Sequence, residues 1–269
     1  MTRFVVVPQW QGSPVARAMR LADGAEAIAG DLPRAACTRV EVPVEAGESL
    51  ETGIHRFSTL HRTRERIVEA LAASDEVAIV IGGDCGVAAP AVAHAASRHP
   101  DVAVVWFDAH ADLHLPGTSP SGAFAGMALR AAFADTPLGT HAVAADRIVL
   151  AGAREFDDAE AALVAETDVR TLTVEDLADP AALAAAVAAT GASAVYIHVD
   201  LDVLDPAVIT GVALPVPFGL DVAALTTAVA ALRERLPLVG ASVAGFAPAT
   251  PAAAVDDLGA ILRVIGALA

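Results

Sequence analysis

The sequence predicts an α/β protein: a single three-layer α/β/α domain, residues 1–269, around a parallel sheet of roughly eight strands. Three observations carry this. Short runs of branched apolar residues recur along the whole chain, and longer alanine-rich or amphipathic stretches separate them, the alternation expected of strands crossing over through helices. No repeat, charge block or Gly/Ser-rich linker divides the chain. Its 269 residues fit one large α/β domain.

Phe4–Val7 reads as the first strand and Arg39–Val44 as the second. Ile54–Ala73 has helical spacing and leads into a strand at Val77–Ile81, which ends in Gly82-Gly83-Asp84-Cys85. A helix over Val87–Arg98 precedes the apolar run Val102–Phe107, which passes directly into Asp108-Ala109-His110-Ala111-Asp112. Gly122–Ala134 reads as helix, Arg147–Leu150 and Val169–Leu172 as strands, and Val174–Ala189 as helix. The strand Ala194–Val199 runs into Asp200-Leu201-Asp202. Asp221–Arg235 and Ala254–Leu268 are helical and flank a last strand, Leu238–Val243. The Pro/Gly-rich stretches Leu115–Gly122 and Asp205–Gly219 follow the acidic motifs and read as loops over a site, because parallel sheets bind ligands beyond their C-terminal strand ends.

Composition narrows the partners. The net charge is −16 and all seventeen basic residues are arginine, a balance that disfavours nucleic acid and anionic membranes. The stretch Ala181–Ile197 is interrupted by Thr190, Gly191 and Ser193 and reads as helix then strand rather than a membrane span. The opening MTRFVVVP reads as a strand, not a leader. Cys37 and Cys85 are far apart and form no C-x-x-C, which fits a reduced compartment. A soluble cytoplasmic protein with a small-molecule substrate is expected.

The three motifs carry the chemistry. Charged residues rarely end buried apolar runs without a partner. Asp108, His110 and Asp112 occupy alternate positions, which in extended backbone point to one side, and Asp200 and Asp202 repeat the spacing. Four carboxylates, one imidazole and the Cys85 thiol converging there make two divalent cations the economical explanation. Cys85 alone would read as a small buried hydrophobe, but the glycines before it permit a sharp turn at a strand end. A thiolate brings Zn2+ and Fe2+ into competition with Mn2+. His198 shares strand parity with Asp200, and His114 with His110. Each reads either as a group that orients a ligand or touches substrate, or as a satisfied or solvent-facing histidine. His114, His198 and Asp112 are the candidate catalytic residues.

In this order and spacing, G-G-D-x, D-A-H-x-D and D-x-D-x-x-D-P resemble the ureohydrolase superfamily of arginases, agmatinases and related amidino-hydrolases. The resemblance implies an arginase-like domain, a dinuclear manganese centre, and hydrolysis of a guanidino group to urea and an amine. It makes Cys85, Asp108, Asp112 and Asp200 ligands of one metal, and His110, Asp108, Asp200 and Asp202 ligands of the other. Two such cations would supply activated water near neutral pH, with Asp112 carrying a proton toward the leaving amine. Ser119, Ser121 and Asp157 fall where arginases contact the amino acid portion of the substrate. Trimers or hexamers are the implied assemblies.

The departures are as informative. The first ligand in the family is usually histidine and here is Cys85, a feature similar to the N-hydroxyarginine hydrolase branch. Ala125 stands where arginases carry a proton-shuttling histidine, and Gly245 where their guanidinium-anchoring glutamate would fall. The favoured expectation is a metal-dependent amidino-hydrolase for an arginine-like guanidine, N-hydroxyarginine among the candidates. The alternatives are a C–N hydrolase of a neutral amide, amidine or formimino substrate, and a catalytically silent metal-binding homologue.

Overall fold

A computed structural model describes residues 2–139 and 141–269. The elements run β1 (Thr2–Val7), α1 (Met19–Gly30), β2 (Cys37–Arg39), α2 (Phe57–Ala72), β3 (Val77–Gly82), α3 (Ala88–Arg98), β4 (Val102–Phe107) and α4 (Arg130–Phe133). They continue β5 (Ile148–Ala151), α5 (Asp158–Glu166), β6 (Arg170–Leu172), α6 (Pro180–Ala188), β7 (Ala194–Asp200), α7 (Val222–Arg233), β8 (Leu238–Ala244) and α8 (Ala254–Leu268).

The strands form one eight-stranded sheet in the order β2-β1-β3-β8-β7-β4-β5-β6, and every pairing is parallel. Alternate residues of each strand bury on opposite faces. Phe4, Ile79, Val105, Ile197 and Val243 pack beneath α1, α6, α7 and α8. Val5, Val80, Val104, Trp106 and Tyr196 pack beneath α2 and α3. Two covered faces explain why the strands read as continuous apolar runs rather than alternating ones.

The sheet crosses over twice near its centre. The chain leaves β3 and enters β4 three places away, and β7 and β8 fill the gap between them. The C-terminal ends of β3, β8, β7 and β4 therefore surround one crevice, the usual ligand position in an open parallel sheet. All three motifs open into it. Close approach there depends on glycine: a Cβ on Gly83 would stand 2.0 Å from the carbonyl oxygen of Gln9.

Several element boundaries differ from expectation, for local physical reasons. Strand β2 spans Cys37–Arg39 instead of Arg39–Val44; the Val40 N–H still donates to the Val6 carbonyl, and Pro43 could not have donated further along. The stretch Gly122–Ala134 is not one helix. Gly122 takes φ +62°, a single turn spans Ala125–Met127, and only Arg130–Phe133 is α-helical. Two helices have no counterpart in the sequence reading. In α1 the buried stripe Leu21, Gly24, Ala25, Ile28 has helical spacing but is broken by a glycine. Helix α5 buries only Glu160, so it offers no apolar stripe to read.

Candidate metal centre

Cys85 lies in a single helical turn after β3, and Asp84 caps that turn by accepting a hydrogen bond from the Gly86 N–H at 2.9 Å. Asp84 also accepts from Gln9 Nε2 and the Gly12 N–H, which ties the β1 and β3 exits together. Burial raises its carboxyl to about 6 despite those bonds. The Cys85 thiol donates to Asp200 Oδ2 at 2.7 Å and lies 3.9 Å from Asp108 Oδ2.

Asp108 follows β4 directly. Its Oδ1 accepts from the His110 N–H at 2.7 Å and its Oδ2 from Trp106 Nε1 at 3.2 Å. His110 Nδ1 lies 3.0 Å from Asp202 Oδ2 and 3.4 Å from Asp108 Oδ1. The two acid motifs are less extended than their spacing suggests. Asp112 takes φ +55°, a left-handed conformation that aspartate tolerates better than most residues. Asp200 accepts from the Asp202 N–H at 2.9 Å and so caps a helical turn, Leu201–Val203, that swings Asp202 round to Asp108 and His110. The convergence is as expected, but turns produce part of it.

These groups form the floor of a cavity of about 160 Å³, and no arginine lines it among the described residues. Burial and mutual repulsion push the acids upward: Asp200 to about 7, Asp202 to about 6, and Asp108 and Asp112 in the same direction. Burial alone would lower His110, but hydrogen bonds to Asp108 and Asp202 raise it to about 12. Burial and the neighbouring carboxylates hold the Cys85 thiol well above its ordinary range. Asp112 Oδ2 is buried without a hydrogen-bond partner. An acid-lined floor with an orphaned carboxylate oxygen suits divalent cations, which would reverse these shifts and deprotonate the thiol. Among the described residues three clusters have donor atoms within 4.8 Å of one another: Cys85–Asp108–His198 and Asp108–His110–Asp202 at the floor, and His114–Asp157–Glu160 beside it.

Asp84, Asp200 and Asp202 have folded pKa values above their unfolded one of 3.8, so the folded chain binds protons more tightly. Their contribution is fully present below about pH 4 and is lost as pH rises through about 6–7. Chelated protein should show a urea midpoint that falls between pH 4 and 7, and added divalent metal should abolish that fall. A midpoint rising over that window in chelated protein would refute the clustering of these acids.

The other candidates divide. Ser121 reaches the cavity wall, whereas Ser119 stands behind it and accepts from the Gly122 N–H at 3.1 Å. Asp157 caps α5, and its Oδ2 lies 3.0 Å from His114 Nε2. His114 lines the cavity, with Thr118 at its Nδ1 and Glu160 3.8 Å from its Nε2. His198 is wholly buried in β7, bonded through Nδ1 to Ser242 Oγ at 2.7 Å and packed against Trp106 with ring centroids 3.8 Å apart, and burial lowers it to about 3. Sequence reasoning missed Glu160, which lines the cavity and accepts from the Leu113 N–H. Its signal was the Asp157-x-x-Glu160 capping-box spacing. Ala125 and Gly245 do line the cavity, without acid or imidazole.

Fold and site together define a parallel α/β protein with a carboxylate-rich candidate metal centre at its strand ends. The chain belongs to the arginase family, whose model matches residues 16–262. It is 27% identical over 180 residues to the arginase of Staphylococcus aureus (strain MRSA252), covering 61% of this chain and 59% of that protein. The matched region thus spans about three-fifths of that relative's length. It is 28% identical to the N(omega)-hydroxy-L-arginine amidinohydrolase of Streptomyces lavendulae over 77% of this chain and 74% of that one. Its fold is similar to the crystal structure of Entamoeba histolytica arginase in complex with L-ornithine, with TM-score 0.87, 20% identity, and 99% and 97% of the two chains covered. Among the described residues no helix is long and apolar enough to cross a membrane.

Proposed function

We propose that this protein is a dinuclear-metal-dependent amidino-hydrolase that cleaves a small arginine-like guanidine, with N-hydroxyarginine the favoured substrate, to urea and an amine or hydroxylamine. The observation that carries this reading is the convergence of Cys85, Asp108, His110, Asp112, Asp200 and Asp202 on the floor of one acid-lined cavity. Two divalent cations held there would supply a water acidic enough to attack near neutral pH. Mn2+ suits the oxygen-rich Asp108–His110–Asp202 side.

The chain's own groups do the rest. A cavity with several carboxylates and no arginine attracts a cationic guanidinium and positions its central carbon. Asp112, whose Oδ2 has no other partner, accepts a proton from the attacking water and returns it to the departing nitrogen. Ser121 lies at the wall, where it would meet the polar far end of the substrate, and Asp157 paired with His114 borders that end. A hydroxyguanidine has the more acidic leaving group, which suits a site with Ala125 in place of an imidazole. A homo-oligomer, trimer or hexamer, working in the cytoplasm belongs to the same reading.

Metal-loaded protein incubated with arginine, N-hydroxyarginine, agmatine and shorter guanidino acids should release urea, most rapidly from N-hydroxyarginine. No urea from any of them with both metals bound would overturn the proposal. Gly245 favours a second reading, a hydrolase of neutral amides, amidines or formimino groups, since this position itself brings no anchoring acid. Turnover of neutral substrates with inert guanidines would decide for it. Neither class turning over would leave a silent metal-binding homologue.

A further inference from the structure

We propose that His198 is itself a metal ligand, so that the position Cys85 faces is a mixed nitrogen–sulfur–oxygen site for a zinc-like ion rather than Mn2+. This rests on the metal centre of the function proposed above but not on its substrate. His198 is fully buried, and its Nε2 has no hydrogen-bond partner. A buried imidazole nitrogen left unpaired is destabilising, because it has given up water without gaining a partner. Such an orphan, buried just behind Cys85 and Asp108 of the cavity floor, points to something that binds between them.

The surroundings hold the ring as a ligand ring is held. Ser242 stands beside His198 in the β7–β8 register, and its Oγ bonds Nδ1 at 2.7 Å. A hydrogen bond at one ring nitrogen sets the tautomer and aims the other at the metal. Trp106, the register partner of His198 on β4, packs against the ring at a 34° tilt with centroids 3.8 Å apart and donates through Nε1 to Asp108 Oδ2. One indole therefore orients two of the donors.

A ring nitrogen of His198, Cys85 Sγ and an Asp108 carboxylate oxygen all lie within 4.8 Å of one another. An ion with bonds of about 2.0–2.3 Å reaches all three once the side chains close in around it. Asp200, 2.7 Å from Cys85 Sγ, completes a four-donor set. The imidazole that the family usually places at position 85 is thus resupplied from β7. Thiolate and imidazole together favour Zn2+, Co2+ or Fe2+ over Mn2+, the weakest binder of the divalent series. The Asp108–His110–Asp202 cluster keeps oxygen-rich donors, so the two positions should differ in metal preference.

The test is metal titration of the stripped full-length protein. The first equivalent of Co2+ should give the strong visible bands of a four-coordinate ion, a near-ultraviolet thiolate band and a change in Trp106 emission. His198→Phe, which keeps a ring against Trp106, should lose that tight equivalent and its bands while retaining weaker Mn2+ binding elsewhere. Ser242→Ala should weaken Zn2+ binding by about 10–100-fold without abolishing it. X-ray absorption of zinc-loaded wild type should show sulfur and imidazole nitrogen around the ion, a readout independent of whether the variants fold. An absorption spectrum lacking imidazole, or an unchanged cobalt spectrum and zinc affinity in folded His198→Phe, would overturn the assignment. Urea release by a protein with an all-oxygen shell would sink this inference and spare the proposed function. A sulfur–imidazole site with no hydrolysis would do the opposite.

Discussion

Asp112→Asn should lower turnover by about 10²–10⁴-fold, the range for removing a general acid–base group, without weakening the metal-free fold at pH 7. Asparagine is nearly isosteric and also tolerates the left-handed φ of +55°, so the loop backbone is kept. What disappears is the proton-accepting Oδ2, which is buried and unpartnered. Burial and the Asp108 carboxylate hold the Asp112 carboxyl well above the ordinary range, so ionising it at neutral pH is costly in chelated protein. A neutral amide removes that cost, and the chelated variant should melt at the same temperature as wild type or higher. Comparing urea release at matched metal occupancy separates lost proton transfer from lost metal. Turnover within tenfold of wild type under those conditions would remove Asp112 from the mechanism.

Gly245→Ala should destabilise the protein by about 2–5 kcal/mol and dislodge Asp200. Left-handed backbone costs a Cβ-bearing residue about 1–2 kcal/mol, and overpacking a tight site typically costs about 1–3 kcal/mol more. Gly245 has φ +89°, and a Cβ there would stand 2.1 Å from Asp200 Oδ1. Its N–H also donates to the Gly83 carbonyl at 2.9 Å, which fixes the β8 exit beside the β3 exit. At about 2–4 °C per kcal/mol for a domain of this size, calorimetry should register the loss readily, and bound metal should fall with it. Glu at the same position should fare no better, since its Cβ meets the same carboxylate. An acid is therefore not introduced at this position by one substitution without displacing Asp200. A Gly245→Ala protein with unchanged melting temperature and metal content would contradict this account.

Much of the architecture was legible locally. Runs such as Val102–Phe107 and Ala194–Val199 are apolar on both faces because helices cover both faces, and such a run ending in acid marks a strand that opens into a site. The six metal-ligand candidates were found that way. Helices α1 and α5 escaped notice because one carries a glycine in its buried stripe and the other buries almost nothing. Asp112 and Asp202 reach the centre through a left-handed residue and a helical turn, which period-two spacing does not encode.

The sequence by itself determined the layered parallel fold and the identity of the metal-site candidates, because strand periodicity and motif spacing are properties of neighbouring residues. Tertiary structure alone decided which donors face one another. Cys85 meets Asp200 across 115 residues and His198 meets Ser242 across 44, contacts created by the strand order β3-β8-β7-β4. Chain order does not contain that adjacency, because the sheet crosses over between β3 and β4 and fills the gap last. The same crossover brings Gly245 against Asp200, so the residue that read as a missing side chain leaves the space that the Asp200 carboxylate occupies.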